Sequence, residues 1–381
     1  MILLLAIVAL AIGVFYGVLQ LDVPGAWKFG LVFIEMVIVG RVLIKRYKLP
    51  SELGMILLKS RIGIELIEKM AKNKQAFHFM TDVGNILAYG LSSMVIMKRS
   101  NAASLLVGLV LLAFISVLVA PSAFLFLVQV IQIGATEKSI ALLSDNPDLG
   151  LLAISAVLLF GGLAFFILFG IIFYGGTILY AVIESLFLGA DSISQISPGG
   201  TFLLPGVNLP LVEGILALLA VIVVHEGCHS ILTRIARVPL LSSGIVLFGI
   251  IPVGAFIEPD EEKLAKVNDL KQTRVIIAGP TANLIASVVF FIIFAGIALL
   301  INGSGMPEEG ILAGVARFTY MTLGLTFALN FIVGAINLLP LPVFDGFRIF
   351  DINVKNKRIV NALMYVTLIF FVLNFLPWLF R

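Results

Sequence analysis

The chain has 381 residues, of which 60% are hydrophobic and only 12% charged. This composition excludes an ordinary soluble domain, because soluble chains average about 45–50% apolar and about 25% charged residues. The net charge of +3 is too small to indicate nucleic-acid binding, and the single cysteine, Cys228, excludes an intrachain disulfide. We therefore predict an all-α polytopic membrane protein whose partner is the lipid bilayer and not a nucleic acid.

Apolar runs along the chain predict about nine transmembrane helices, because a helix needs about 20 apolar residues to cross the hydrocarbon core. The third run is the shortest and is predicted to be either a short span or a re-entrant segment. The predicted spans are 2–20, 29–44, 83–97, 104–131, 151–186, 211–234, 274–301, 314–338 and 359–380.

Three other stretches have patterns of their own. Residues 52–76 mix charged residues with Ile and Leu at helical spacing, which predicts an amphipathic helix at the membrane surface. Residues 197–210 are interrupted by Pro and Gly, as is typical of an ordered loop or a re-entrant segment. Residues 241–259 are apolar, rich in β-branched side chains and broken by Gly and Pro, which favours a β-hairpin.

Basic residues indicate the orientation of the chain, because they concentrate in cytoplasmic loops. With nine spans, a cytoplasmic N-terminus in the cell membrane places the basic clusters on the cytoplasmic side. Lys98 and Arg99 are the exceptions. The clusters are 41–48, 234–237, 263–274 and 355–358, and the acidic pair Glu308 and Glu309 falls outside.

The sixth predicted span contains an HExxH motif, HEGCH at residues 225–229. Each ionisable side chain in hydrocarbon costs about 2.5–3.5 kcal/mol on insertion scales, so such residues indicate a functional site. His225 and His229 are four residues apart, so both imidazoles can reach one metal ion from one helix face. Glu226 is placed to take a proton from a water on that metal. The alternative, two histidines that hydrogen-bond across a bundle, leaves Glu226 unexplained.

A catalytic zinc site needs a third protein ligand and one open position. Asp345 lies in NLLPLPVFDG, residues 337–346, where Pro340 and Pro342 break the eighth span. That break can bring Asp345 to the cytoplasmic end, where the sixth span places the two histidines. Asp345 can instead serve as a helix cap or in an Asp-Gly turn, and Asp351 is the second choice of ligand.

These motifs resemble those of the site-2 protease family of intramembrane zinc metalloproteases. The third of them, AGPTANLIAS at residues 278–287, is similar to the Gly-Pro-x-x-Asn signature of that family. The resemblance covers about 151–381, which we predict to be the catalytic membrane core. Residues 1–150 are predicted to form an accessory transmembrane region that includes the amphipathic helix.

The resemblance implies one Zn²⁺ per chain, bound by His225, His229 and Asp345, with Glu226 as general base. It also implies that Asn283 holds the scissile carbonyl or its oxyanion, a role that suits an amide donor. The alternative for Asn283 is a polar side chain that joins two helices. The other motif residues are assigned to supporting the site, namely Gly279, Pro280, Asn337, Pro340, Pro342 and Gly346.

The predicted function is regulated intramembrane proteolysis, in which metal-activated water cleaves a membrane-spanning protein. The 241–259 hairpin is predicted to offer a strand edge to the unwound substrate. Two alternatives remain open. A metal transporter or ion exchanger typically has two related halves with broken helices, and the sequence has no such halves. A catalytically silent scaffold does not explain why Glu226 lies beside both histidines.

Overall fold

The structure is a computed structural model with a mostly helical chain and one small sheet. Two compact units are present. The first comprises Met1–Lys72, Phe202–Val267 and Ala282–Val333, and the second comprises Asn73–Thr201, Asn268–Thr281 and Gly334–Arg381. Predictions that rest on Lys98, Arg99 and Glu308 lie outside the described residues. The described residues are 2–60, 63–96, 101–134, 147–188, 193, 196–201, 203–303 and 309–380.

Helices are numbered here in chain order over the described residues. Two short 3₁₀ segments, Gly90–Ser92 and Leu376–Phe380, accompany them. The α-helices are α1 (Ile2–Gln20), α2 (Gly25–Tyr47), α3 (Ile64–Met70), α4 (Lys74–Tyr89), α5 (Ser93–Ile96), α6 (Ala102–Gly134), α7 (Pro147–Leu188), α8 (Leu211–Ile235), α9 (Glu261–Lys266), α10 (Asp269–Gly303), α11 (Ile311–Ile336), α12 (Asp345–Asn353) and α13 (Lys357–Leu373).

Six stretches of the described chain are long and apolar enough to cross a membrane, or seven if a pair bent by 41° within α6 counts as one span. This supports a multi-pass membrane protein, but the predicted number of nine spans is not confirmed. Helix α2 carries several charged residues, and α4 has only 16 residues. The six stretches are Leu3–Gln20, Pro147–Phe187, Leu211–Ile235, Asp269–Gly303, Ile311–Ile336 and Lys357–Phe380.

The sheet lies in the first unit and has four antiparallel strands in the order β1-β2-β3-β4. The hairpin predicted over 241–259 is confirmed as β3 and β4. Its two-residue turn begins at Gly249, which has a φ of +64°. A Cβ there would lie 2.7 Å from the sulfur of Met36, so the turn lies directly against α2. The strands are β1 (Ser51–Glu52), β2 (Met55–Ser60), β3 (Leu240–Phe248) and β4 (Ile251–Pro259).

The amphipathic helix predicted over 52–76 is wrong for much of its length. Strand β2 forms there and pairs with β3, with Leu57 opposite Val246. This partner is distant in sequence, so local spacing could not reveal it. In the turn between β1 and β2, Leu53 and Gly54 adopt φ angles of 50° and 81°. Two consecutive residues with positive φ are the geometry of a tight hairpin turn.

Packing within the first unit fixes helix α8, which carries the HExxH motif. Strand β4 packs along α8, and Ala217 and Val221 of α8 form a buried cluster with Leu329 of α11. At the other end of α8, Arg234 pairs with Glu68 of α3 at 3.0 Å. The motif is therefore held on a helix that is anchored at several points.

The second unit contains a buried polar contact between α4 and α10. The carboxylate of Asp82 accepts two hydrogen bonds from Arg274, at 2.8 and 2.7 Å. Close to it, a Cβ on Gly84 would lie 1.8 Å from the hydroxyl oxygen of Thr281. The two helices therefore approach each other so closely that only glycine fits at position 84.

Candidate metal centre

The HExxH motif lies in the C-terminal half of α8, and the sixth predicted span is confirmed as this helix. His225 is buried with 8% of its surface exposed, while Glu226 and His229 are half-buried. Glu226 and His229 are three residues apart on this helix, so their side chains lie on neighbouring parts of its surface.

The two histidine side chains point toward one another. Their Nε2 atoms lie 3.1 Å apart, and their ring planes are inclined by 79°. Two imidazole nitrogens that bind one zinc ion at about 2.0–2.1 Å with tetrahedral angles lie about 3.3 Å from each other. The observed separation is close to that value, so the pair fits one ion.

Asn283 of α10 is fully buried and contacts the other nitrogen of the His225 ring. Its Nδ2 lies 3.1 Å from Nδ1 of His225, and its Oδ1 has no partner within the described part of the chain. A histidine that offers Nε2 to a metal carries its proton on Nδ1 and donates it. Rotating the amide of Asn283 therefore gives Oδ1 a donor and leaves Nδ2 free to donate elsewhere.

This contact gives Asn283 a role that sequence analysis missed, namely orientation of a histidine ring. No sequence signal pointed to it, because Asn283 and His225 are 58 residues apart. The predicted contact of Asn283 with the scissile carbonyl stays a prediction. The alternative of a polar residue that joins helices is consistent with the same hydrogen bond.

Asp345 is the first residue of α12, directly after the loop that breaks the predicted eighth span. Helix α11 ends at Ile336, and the chain turns sharply before α12 begins. Within the turn, the N–H of Leu339 donates to the carbonyl of Ile336 at 2.9 Å. The predicted break before Asp345 is therefore confirmed, and the carboxylate lies in the first turn of a new helix.

Asn337 and Gly346 close the base of this loop. The N–H of Gly346 donates to the carbonyl of Asn337 at 2.7 Å, and a Cβ on Gly346 would lie 2.1 Å from the carbonyl oxygen of Leu338. Of the two prolines between them, Pro340 is buried and Pro342 is exposed. These contacts show how the motif residues shape the segment that carries Asp345.

The Gly-Pro-x-x-Asn motif lies inside α10. Gly279 and Pro280 are buried, and Pro280 interrupts the hydrogen-bond ladder of the helix because it has no N–H. The next residue, Thr281, lies against Gly84 in the close helix contact described above. This packing accounts for small residues at this point of the helix.

The three residues that the sequence predicts as metal ligands are His225 and His229, in the first unit, and Asp345, in the second. Two imidazole nitrogens and one carboxylate oxygen are a donor set of catalytic zinc sites with an open fourth position. Asp351, the second choice of ligand, has 49% of its side-chain surface exposed and pairs with Lys357 at 2.6 Å.

Comparison with known proteins agrees with this geometry. Residues 213–308 match peptidase family M50. This is the site-2 protease family, so the predicted resemblance is confirmed over a stretch that contains the HExxH and Gly-Pro-x-x-Asn motifs. The M50 match supports a metalloprotease of the site-2 type, a class that depends on zinc in general. It ends before Asp345.

A relative of this chain is known from an archaeon. An uncharacterized protein of Methanocaldococcus jannaschii is 38% identical to this chain over 105 residues. The match covers 27% of this chain and 27% of the relative, so only about a quarter of each protein is compared. No solved structure matches the chain.

Proposed function

We propose that this chain is an intramembrane zinc endopeptidase of the site-2 protease type, which cleaves a membrane-spanning protein in regulated intramembrane proteolysis. The observation that carries the proposal is the pair of Nε2 atoms of His225 and His229, which lie 3.1 Å apart on an apolar helix. Glu226 lies between the two histidines in the sequence of that helix. The M50 match supports the same conclusion. It gives no support to the alternative of a metal transporter.

Three side chains are proposed to hold one zinc ion: His225, His229 and Asp345. Zinc in such a site makes water acidic enough to act as a nucleophile near neutral pH. Glu226 accepts a proton from that water and delivers it to the amine nitrogen that leaves. Asn283 holds the ring of His225 through Nδ1, which keeps Nε2 available as a ligand.

Substrate access is proposed to use strand β4. A membrane-spanning helix has every backbone group hydrogen-bonded, so it must unwind before a peptide bond can be attacked. Strand β4 is the last strand in the sheet order, and it packs along helix α8. Strand β3 pairs with β2 on one side and with β4 on the other. The substrate-binding edge predicted over 241–259 is therefore assigned to β4. An unwound peptide can add to that edge.

We also propose that the N-terminus and the active site face the cytoplasm. Reporter fusions are expected to place 234–240 and 343–358 on the cytoplasmic side and 302–310 on the opposite side. A cytoplasmic reporter signal from 302–310 would contradict this orientation.

The variant Glu226→Gln tests the chemistry directly. We expect it to keep zinc and to bind substrate, while cleavage falls by about 10²–10⁴-fold, because only the proton transfer is removed. Metal analysis of the purified protein and a cleavage assay on a membrane-spanning substrate measure the two effects. Glu213→Gln, in the first turn of the same helix, is the matched control and should cleave normally. Cleavage by Glu226→Gln at the wild-type rate would overturn the proposed mechanism.

A further inference from the structure

Tyr89, the last residue of α4, has a buried hydroxyl group that the proposed mechanism does not use. The side chain is fully buried, and its oxygen has no hydrogen-bond partner among the described residues. A buried phenol normally has a partner, because leaving the O–H unpaired in an apolar environment is unfavourable. The position of Tyr89 therefore calls for an acceptor that the group meets when the protein functions.

Two glycines fix the backbone around Tyr89. No other residue fits at either position unless the neighbouring backbone moves. Gly90 has a φ of +57°, and a Cβ there would lie 2.4 Å from the carbonyl oxygen of Leu159. Gly162 interrupts helix α7 with a φ of +66°, and a Cβ there would lie 2.5 Å from the N atom of Tyr89. The end of α4 is thus held tightly against the break in α7.

The Tyr89 ring packs on the helix that begins with Asp345. It lies edge-on to Phe350 of α12, with ring centroids 5.5 Å apart and planes inclined by 86°. Phe165 of α7 packs on Phe350 in a similar way at 6.2 Å. The first contact packs α12 against Tyr89 and the second packs it against α7. The carboxylate of Asp345 lies within electrostatic reach of the Tyr89 hydroxyl.

We propose that Tyr89 is a positioning residue whose hydroxyl donates a hydrogen bond to the carboxylate of Asp345 and holds it in the orientation that binds metal. A carboxylate ligand has a second oxygen that can accept such a bond. Outer partners of this kind fix the orientation of metal ligands. The inference rests on the proposed function of Asp345, and it gives the N-terminal region, which the M50 match does not cover, a part in the site.

The variant Tyr89→Phe removes the hydroxyl oxygen and leaves the ring. We expect zinc affinity, measured by competition with a chelator, to fall by about 10–100-fold. The visible absorption spectrum of the cobalt-loaded protein should also change, because it reports the ligand geometry directly. The unfolding temperature of the metal-free protein should not fall, because the hydroxyl has no hydrogen-bond partner among the described residues and meets the Asp345 carboxylate only when Asp345 binds the metal.

Two matched variants separate this role from a general effect of removing a hydroxyl group. Ser93→Ala removes another buried hydroxyl that has no partner in the described chain, and Tyr174→Phe removes one that donates to the carbonyl of Ser197 at 2.7 Å. Both should bind zinc as tightly as the wild type. Equal weakening by Ser93→Ala would overturn the positioning role, and so would a lowered unfolding temperature in metal-free Tyr89→Phe.

A further variant, His225→Ala, distinguishes failure of this inference from failure of the proposed function. If His225→Ala loses zinc while Tyr89→Phe keeps the wild-type affinity and cobalt spectrum, the role of Tyr89 is wrong and the metal site stands. If His225→Ala keeps zinc, the proposed metal site itself is wrong, and the inference about Tyr89 fails with it.

Discussion

The proposed ligands lie on two segments of opposite kinds. His225 and His229 are on a continuous helix, where a four-residue spacing places them on one face, and their Nε2 atoms lie 3.1 Å apart. Asp345 follows an irregular loop, and its position depends on particular backbone contacts, such as the hydrogen bond between Gly346 and Asn337. The geometry of a regular helix sets the spacing of its ligands, whereas the position of a ligand after a loop depends on individual backbone contacts.

The largest effect is expected from loss of a helix-borne ligand. His229→Ala should lose zinc and cleavage together, because one of the three proposed protein ligands is removed. The affinity for zinc should fall by more than the loss that is typical when a residue that hydrogen-bonds to a metal ligand is removed, which is about 10–100-fold. Metal content after dialysis measures the loss. Ser230→Ala, whose hydroxyl donates to the backbone carbonyl of Glu226, is the neighbouring control and should keep its zinc.

The second prediction compares the loop that carries Asp345 with helix α8. One methyl group is added to each by replacing a glycine with alanine. Gly346→Ala forces the loop to move, since the new Cβ would lie 2.1 Å from the carbonyl oxygen of Leu338. Such overpacking typically costs about 1–3 kcal/mol, so we expect a lower unfolding temperature and weaker zinc binding. Gly227→Ala is the matched variant, because its Cβ would lie within 4 Å of no atom in the part of the chain that the structure describes.

The control should retain both zinc and stability, since alanine is about 0.8–1.0 kcal/mol more favourable than glycine inside a helix. Calorimetry and metal analysis on both variants measure the comparison. Equal behaviour of Gly346→Ala and Gly227→Ala would show that the loop does not need the close approach at Gly346.

The sequence predicts the structure best where regular structure fixes the geometry. The HExxH spacing, the break before Asp345 and the hairpin over 241–259 all follow from local pattern, and the structure confirms them. Local pattern failed over 52–76, where the pairing of β2 with β3 outweighs the helical spacing of Ile and Leu. It also missed the contact of Asn283 with His225, because only tertiary packing brings these residues together.

The third prediction concerns the edge of the sheet, where the structure changes the choice of variant. Proline at Val246 is a poor test of the edge, because Val246 pairs with Leu57 on one side and with Gly254 on the other. Phe256 and Ile257 are better positions, because they are consecutive residues of β4 and their N–H groups point to opposite sides. Proline at the outward-pointing position removes a donor from the edge only.

We expect the variant with proline at the outward-pointing position to cleave a helical substrate several-fold more slowly than the wild type. Its zinc content and unfolding temperature should be unchanged. The proline at the inward-pointing position should destabilise the sheet and serves as the contrast. Cleavage assays, metal analysis and thermal unfolding separate the two. If the stable proline variant cleaved like the wild type, docking on β4 would have to be abandoned, and the metal site would be unaffected.

The smallest effect, a change in unfolding temperature, is expected at strand β2, which the local spacing of residues did not predict. Lys59 of β2 pairs with Glu258 of β4 at 2.7 Å, and both side chains are about two-fifths exposed. The hydrogen bonds from Lys59 and then from Ser242 lower the pKa of Glu258. An exposed pair of this kind contributes no more than about 1 kcal/mol, because water and salt screen it.

The pH dependence of this contribution has a definite sign, because the folded state lowers the pKa of Glu258. The stabilisation is present above the usual carboxyl pKa and is lost as the pH falls through the lowered value. Glu258→Gln should therefore lower the unfolding temperature slightly at neutral pH and not at strongly acidic pH. Glu262→Gln, at an exposed position of α9, is the control. A deficit of Glu258→Gln that persisted in acid would mean that the side chain stabilises the sheet by packing and not by its charge.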